Sequence, residues 1–339
     1  MFEHSLFILE LVKTTFLWFQ NQASQLLKRI VLFILREGPV PRHVAFIMDG
    51  NRRFARGRLL SRAEGHREGY DRLVDALKWC LELGVKFVSV YAFSVENFKR
   101  SSEEVDDLMQ LAVNKLEEIL KERDLMEKHK VNVRVIGELG LLRPDVRRAA
   151  ARVMSATRTN TGGVLNICFS YTSQHEMAGA LRKAARGLRE GILAEGDVTC
   201  RLLGRCLHTR GCPPVDLLIR TSGETRLSDF LLWQSGFAVL DFSPVLWPQF
   251  SLLDLAGAIA KYQRAAPALK ELRRGSCCCC DGGSGGGDTA LLGGSEKGAV
   301  SQRGEEAGAD TQRRARTDAF LAMQDELLDE WIESNLVPG

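Results

Sequence analysis

The stretch His43-Val44-Ala45-Phe46-Ile47-Met48-Asp49-Gly50-Asn51-Arg52-Arg53 decides the fold. It opens as a short apolar run, the pattern of a strand covered on both faces of a sheet. It breaks at Asp49-Gly50-Asn51, three turn-forming residues in a row, and two arginines follow at once. A strand ending in a carboxylate, a glycine and paired guanidinium groups puts charge at the carboxyl edge of a sheet, where open α/β folds bind ligands. Asp49 can hold a divalent cation through oxygen. The Gly50 and Asn51 amides can approach a phosphate closely, and Arg52 and Arg53 offer it forked donors. The plain alternative is a solvated turn capped by Asp49.

Outward from this stretch the pattern alternates. A short helix follows over 52–58, then a longer one over 66–83 with Leu73, Leu77, Cys80, Leu81 and Leu83 as its apolar stripe. Residues 86–93 are β-branched and aromatic, hence a strand, and end in Ser94, Glu96, Asn97, Lys99 and Arg100. Ser101-Ser102-Glu103-Glu104 starts a helix that runs to about 129. Strands are expected over 131–136, 164–169, 216–219 and 237–242, and helices over 144–158, 175–190 and 252–262. The strand at 216–219 ends in Arg220-Thr221-Ser222-Gly223-Glu224-Thr225-Arg226-Leu227-Ser228, after which Phe230 to Trp233 read as a short helix. Six strands alternating with helices predict one α/β domain over 38–265, a six-stranded parallel sheet flanked by helices.

Three segments lie outside that body. Residues 1–37 are an amino-terminal amphipathic segment whose longest uncharged run, 14–27, includes Gln20, Asn21, Gln22 and Gln25. A spanning helix needs about 20 mostly apolar residues, so this one is not expected to span. No basic region precedes a cleavage site, which argues against a signal peptide. Three readings stand: a helix lying on a membrane surface, a helix covering an apolar opening, or an ordinary core helix. Residues 266–310 are a Gly- and Cys-rich flexible insert, where Cys277–Cys280 are either an acylation site or low complexity. Residues 311–339 recover helical spacing, with Phe320, Met323, Leu327, Leu328 and Trp331 on one side. That helix needs a surface to dock on, either the body or a partner.

Composition narrows the function classes. The 339 residues are 45% hydrophobic and 26% charged, the range of a soluble globular protein. A net charge of +3 excludes a general polyanion binder. Arg52, Arg53, Arg56, Arg58, Arg62 and Arg67 nevertheless cluster, which suits phosphate, and the scarcity of interleaved aromatics weighs against single-stranded nucleic acid. No paired C-x-x-C units suggest zinc, and nine cysteines point to a reducing compartment rather than a disulfide framework.

Three strands thus end in related polar clusters, at 49–53, 94–100 and 220–228. Together they supply a carboxylate for a metal, several arginines and a few hydroxyls and amides, a set able to neutralise two diphosphates. No lysine-bearing G-x-x-x-x-G-K loop and no G-x-G-x-x-G dinucleotide loop is present. The runs H-V-A-F-I-M-D-G-N-R-R-F-A, G-H at 65–66, Y-A-F-S-V-E-N-F-K-R at 91–100, D-L-L-I-R-T-S-G-E-T-R-L-S-D-F-L-L-W-Q at 216–234 and V-L-W-P at 245–248 resemble the cis-prenyltransferases. That family includes undecaprenyl diphosphate synthase and the eukaryotic dehydrodolichyl diphosphate synthase, whose catalytic subunit the chain resembles most. The resemblance spans about 38–265. The D-D-x-x-D motif of trans-type synthases is not matched at Asp106-Asp107.

The resemblance implies Mg²⁺-dependent elongation of farnesyl diphosphate by isopentenyl diphosphate with new Z double bonds, giving a dehydrodolichyl diphosphate that feeds dolichol-dependent protein glycosylation. It implies Asp49 as magnesium ligand and central acid. Gly50, Asn51, Arg52, Arg53, Arg62, His66 and Arg100 would surround the allylic diphosphate, and Arg220, Arg226 and Ser228 would clamp isopentenyl diphosphate. Phe93, Ser94 and Glu96 would line the space between, with Asn97 assisting proton removal. The base itself is Asn97 with a water, Asp49 or the released diphosphate. The family's bacterial members carry a glutamate where Val239 stands, with Asp241 two residues on, and its R-x-G tail is matched only by Arg273-Arg274-Gly275, several residues late. Both gaps resemble eukaryotic catalytic subunits that work with a Nogo-B-receptor-like partner. The implied setting is the cytosolic face of the endoplasmic reticulum membrane, peripherally bound, with no nucleic-acid partner. The rival readings are a non-catalytic scaffold subunit, expected to lack the Asp49 and Arg220 clusters, and a phosphate-binding protein acting on nucleic acid.

Overall fold

The computed structural model describes residues 15, 18, 22–23, 25–121, 128–275 and 299–336. The fold is the expected α/β domain. Six strands form one parallel sheet: β1 (His43–Ile47), β2 (Phe87–Ser94), β3 (Val131–Ile136), β4 (Gly163–Tyr171), β5 (Leu217–Arg220) and β6 (Val239–Phe242), in the order β3-β4-β2-β1-β5-β6. The helices are α1 (Asn51–Gly57), α2 (Arg62–Leu83), α3 (Ser102–Lys121), α4 (Pro144–Thr157), α5 (Ser173–Arg189), α6 (Cys200–Cys206), α7 (Leu252–Gly275) and α8 (Ala299–Leu336). Contacts gather into two units, one over 1–88, 215–225 and 238–267, the other over 89–214, 226–237 and 268–339.

In the first unit β1 is buried at every position because both its faces are covered. It pairs with β5 in the register Val44↔Leu217 to Ile47↔Arg220, and β5 pairs with β6 from Leu217↔Val239 to Arg220↔Phe242. The Asp216 carboxylate accepts from the Arg42 and His43 amides, tying the starts of β1 and β5. Phe46 packs on Trp247 and Phe250, and the Trp247 indole donates to the Gly69 carbonyl at 2.6 Å. Ser61 and Glu64 form a reciprocal capping box that starts α2.

Residues 25–36 are helical and belong to this unit. Lys28 pairs with Glu82, and Gln263 donates to the Leu35 carbonyl, with Leu32 and Leu35 buried. Leu26, Leu27, Ile30, Phe33 and Ile34 remain 48–65% exposed. That overturns the plain core-helix reading, because a core helix leaves no such apolar face. Among the described residues no helix is long and apolar enough to cross a membrane.

In the second unit β3 pairs with β4 from Val131↔Gly163 to Ile136↔Cys168. The helix α8 docks here, its Phe320 joining Ala180, Leu193, Leu202, Cys206, Leu207 and Leu321 in one apolar cluster. Arg316 forks onto the buried Asp197 at 2.7 and 2.9 Å, while Arg205 and Arg210 pair with Asp318 and Asp325. The inward stripe runs through Phe320, Gln324 and Ile332, and Leu327 points outward at 44% exposure. Of the expected stripe, Phe320 and Met323 pack on this cluster and Leu328 and Trp331 are half-buried, so Leu327 alone departs from it.

Four further expectations need correction. Phe230 to Trp233 form turns, not a helix. Ser228, Asp229 and Leu231 have φ of 50°, 59° and 46°, values that no right-handed helix accepts. The helix at 252 runs on to Gly275, since Ala265, Ala266, Ala268 and Leu269 are strong helix formers and outweigh the single ladder bond lost at Pro267. Together with the start of α8 at Ala299, this puts 266–275 and 299–310 in helix, while Cys277–Cys280 lie outside the described residues. The short α6, capped by Thr199, was not anticipated, because its seven residues carry too little periodicity.

Candidate active site

The first unit assembles its polar groups where β1 and β5 end. Residues Ile47 and Arg220 are register partners, so Asp49 and Arg220 emerge from neighbouring strands. Arg220 Nη2 donates to Asp49 Oδ2 at 3.0 Å; the Arg220 side chain is 4% exposed and that of Asp49 34%. The Thr221 hydroxyl donates to the Asp49 carbonyl at 2.8 Å, the Asp49 amide bonds back to Ile47, and Trp247 N also donates to the Asp49 carbonyl. The backbone of Asp49 is therefore fixed while one face of its carboxylate stays open to solvent. Gly50 adopts φ 109°, and a Cβ there would meet Leu246 at 3.0–3.1 Å, so the turn requires glycine.

Asn51 opens α1 with its Oδ1 buried and without a partner among the described residues. A Cβ on Gly69 would sit 2.2 Å from that oxygen, so glycine is what lets α2 approach it. Arg53 is engaged: it donates to the Ser222 carbonyl at 3.1 Å and to the Ser222 hydroxyl, and lies 3.6 Å from Glu224 and 3.9 Å from Asp49. Arg52 and Arg62 are exposed and His66 is half-buried. The 220–225 turn is stitched to the segment after β6 by Ser222 N to Val245 O and Gly223 N to Ser243 O.

In the second unit β2 delivers Phe93, buried at 2% and stacked 5.2 Å from Phe169. A single 3₁₀ turn follows over Val95–Lys99. The Asn97 side-chain oxygen accepts from the Ser94 amide at 3.1 Å, which leaves the amide NH₂ as its free end for chemistry. Glu96 is exposed and paired with Lys99, and Arg100 pairs with Glu104 at 2.9 Å. Arg226 and Ser228 are exposed, and the Ser228 carbonyl accepts from the Tyr91 hydroxyl at 3.2 Å. Burial pushes the Tyr91 phenol well above its ordinary value, so it stays a donor at any working pH. Sequence reasoning missed Thr221, Tyr91, Glu176 and Gln234. Thr221, Tyr91 and Gln234 all sat within the motifs that pointed to the site, and only Glu176 lay outside them.

A divalent cation can be tested against these donors. No three His, Cys, Asp or Glu side chains gather among the described residues. The donor on the page is Asp49, a half-exposed carboxylate of the kind Mg²⁺ can take beside waters and substrate phosphates. Asp241, the candidate substitute for the family's glutamate, is 4% exposed and committed to an ion pair with Lys261 of α7. Arg273 to Gly275 lie in α7, with Arg273 donating to the Phe237 carbonyl at 3.3 Å. In this structure both groups are already engaged within the chain.

Comparison with known proteins gives the same answer from outside. A family model described as "Putative undecaprenyl diphosphate synthase" matches residues 47–268. The dehydrodolichyl diphosphate synthase complex subunit of Mus musculus is 46% identical over 256 residues, covering 76% of this chain and 77% of the relative. An isoprenyl transferase of Thermus thermophilus is 42% identical over 234 residues, covering 68% and 88%. Lavandulyl diphosphate synthase from Lavandula x intermedia, solved in complex with dimethylallyl diphosphate, superposes with a TM-score of 0.63 at 32% identity, covering 66% of this chain and 95% of that one. With its strand-end acid and arginines in place and its sheet shared with such an enzyme, the chain belongs to the undecaprenyl diphosphate synthase-like family of cis-prenyltransferases.

Proposed function

We propose that this chain is the catalytic subunit of a Mg²⁺-dependent cis-prenyltransferase that adds isopentenyl diphosphate units to farnesyl diphosphate, giving a long Z-polyprenyl diphosphate of the dehydrodolichyl type. The observation that carries the reading is the Asp49–Arg220 pair at the ends of adjacent parallel strands, with the acid held by Thr221 and open on one face. Arg52, Arg53, Arg62, His66 and Arg100, with the Gly50 and Asn51 amides, would bind the allylic diphosphate. Arg220, Arg226 and Ser228 would bind isopentenyl diphosphate. Mg²⁺ held by Asp49 would supply charge neutralisation on the leaving diphosphate.

The residues' own work follows from the charges. Breaking the C1–O bond sends its electron pair to the diphosphate, and guanidinium groups already in place stabilise that charge without reorganising. The isopentenyl double bond then forms the new C–C bond to C1, and one proton leaves C2. Asn97 would serve by donating its NH₂ to a water or phosphate oxygen, since its own oxygen is taken by Ser94 N. The base is then that water, Asp49 or the released diphosphate. Product grows more apolar with every cycle, so the reaction needs an apolar tunnel to receive it.

A Nogo-B-receptor-like partner would complete the site. The support is Val239 at the glutamate position, Asp241 tied to Lys261, and Arg273–Gly275 held in helix. The relative from Mus musculus is itself named a complex subunit. The enzyme would sit peripherally on the cytosolic face of the endoplasmic reticulum membrane, with the exposed Leu26, Leu27, Ile30, Phe33 and Ile34 face in the lipid boundary. Vesicle flotation of the full chain against a chain lacking 1–36 tests this; equal flotation refutes it. The activity test incubates the chain with farnesyl diphosphate, labelled isopentenyl diphosphate and Mg²⁺, with and without the partner, and separates products by chain length. Long products with the partner and about a hundredfold fewer without it are expected. No incorporation under either condition refutes the reaction, and equal turnover refutes the partner.

A further inference from the structure

We propose that Glu176 is a positioning residue for the isopentenyl diphosphate clamp, holding the 226–234 segment that carries Arg226 and Ser228. This rests on the reading of those two residues given above. All the groups concerned lie in the second unit.

The segment is unusual in its backbone. Ser228, Asp229 and Leu231 are non-glycine residues in the left-handed region, an arrangement that persists only when its surroundings over-determine it. The surroundings do so through the first turn of α5. Ser173 N donates to the Asp229 carbonyl at 2.8 Å, and Leu232 N donates to the Ser173 hydroxyl at 2.8 Å. Gln174 N bonds both Asp229 carboxylate oxygens at 3.2 and 3.3 Å. Phe230, fully buried, stacks 4.5 Å from Tyr91 and meets Tyr171 edge-on.

Glu176 closes this set from beneath. It is 2% exposed, and its Oε2 accepts from Gln234 Nε2 at 2.9 Å and from the Tyr171 hydroxyl, while its Oε1 accepts from His208 N at 2.7 Å. The same Gln234 amide donates to Thr209 Oγ1 at 2.9 Å. Each group turned to the carboxylate in these contacts is a donor, so one side chain binds the end of the segment, the end of β4 and the 208–209 turn. Burial pushes the carboxyl above its ordinary value, opposed by those same donors. Glu176, Tyr171, Thr209 and Gln234 are all buried, and the reaction proposed above does not use them. Its output is the placement of the exposed Arg226 and Ser228 a few residues away.

The test compares Glu176→Ala, Glu176→Gln, Gln234→Leu and Arg226→Ala in the full chain with its partner. Steady-state constants are measured for both substrates, and amide exchange is measured over 226–235. Glu176→Ala and Gln234→Leu should raise KM for isopentenyl diphosphate about tenfold, leave KM for farnesyl diphosphate within about twofold, and speed exchange selectively over 226–235. Glu176→Gln should restore most of the loss. It keeps an acceptor for His208 N, and the Gln234 amide can turn its unpartnered Oε1 toward the new NH₂. Equal rises in both KM values, or exchange that rises across α5 as a whole, overturn the proposal in favour of plain core support. If Glu176→Ala does not fold, Gln234→Leu and Glu176→Gln carry the same comparison. Should Arg226→Ala itself show no preference for isopentenyl diphosphate, the clamp assignment fails. Should it show that preference while Glu176→Ala and Gln234→Leu do not, the positioning role fails.

Discussion

Replacing Asp49 by asparagine separates the acid's electrostatic role from its structural one. The carboxylate accepts a 3.0 Å bond from an Arg220 side chain that is 4% exposed, and its own side chain is 34% exposed. A bond to a charged group contributes about 1.5–3 kcal/mol. Asparagine keeps a neutral acceptor in nearly the same place, and partial exposure weakens the ionic part, so the stability loss should be only about 1 kcal/mol. For a domain of this size that lowers Tm by about 2–4 °C. The Thr221 and Trp247 contacts go to the Asp49 backbone and survive. Catalysis should suffer far more, because the anion that balances Arg220 and would hold the cation is gone. Losing one preorganised electrostatic contact costs about 10²–10³ in turnover, or about 2.7–4 kcal/mol. The assay pairs labelled isopentenyl diphosphate incorporation at saturating substrates with thermal unfolding followed by circular dichroism. A variant that keeps more than about a tenth of its activity, or whose loss tracks unfolding, would refute the reasoning.

Arg226→Ala should raise KM for isopentenyl diphosphate about ten- to a hundredfold, with a smaller change for farnesyl diphosphate; steady-state titration of each substrate checks the split. Phe320→Ala empties a fully buried site in the cluster under α8 and should cost about 3–5 kcal/mol, read as a lower Tm and faster proteolysis within 311–336. Unchanged protection there would mean that α8 is held by its ion pairs alone. The hydrogen bonds from Arg316 hold the Asp197 carboxyl below the usual carboxylate range. A depressed folded value means that this contribution is present above the unfolded value of about 3.9 and is lost as pH falls through the lower folded one. Exchange protection of α8, corrected for intrinsic rates, should therefore be flat from neutral pH to about 5 and fall below about 4; loosening at pH 6 to 7 would contradict it.

The sheet and the polar ends of its strands were legible in the sequence because local rules act there without competition. Val44 to Ile47 followed by Asp49-Gly50-Asn51 reads as a covered strand breaking into a turn, and Leu217 to Arg220 repeats the device in register beside it. The 3.6-residue stripe of α2 is equally local, whereas the Ser61–Glu64 capping box was overlooked and starts the helix at Arg62 rather than at 66. Tertiary contacts decided the rest. Phe230 to Trp233 look helical by composition, yet bonds from Ser173, Gln174 and Tyr91, distant in sequence, hold this segment in left-handed turns. Asp241, two residues past the position of the family's glutamate, has a partner that sequence does not announce: Lys261, twenty residues on. Glu176 sits in an unremarked polar run, and only folding brings Tyr171, His208 and Gln234 around it. Sequence alone determined which residues form strands and which charges stand at their ends, because backbone periodicity and turn chemistry are properties of neighbouring residues. Structure alone decided which of those charges are already paired, because a side chain's partners are set by packing between elements far apart in the chain.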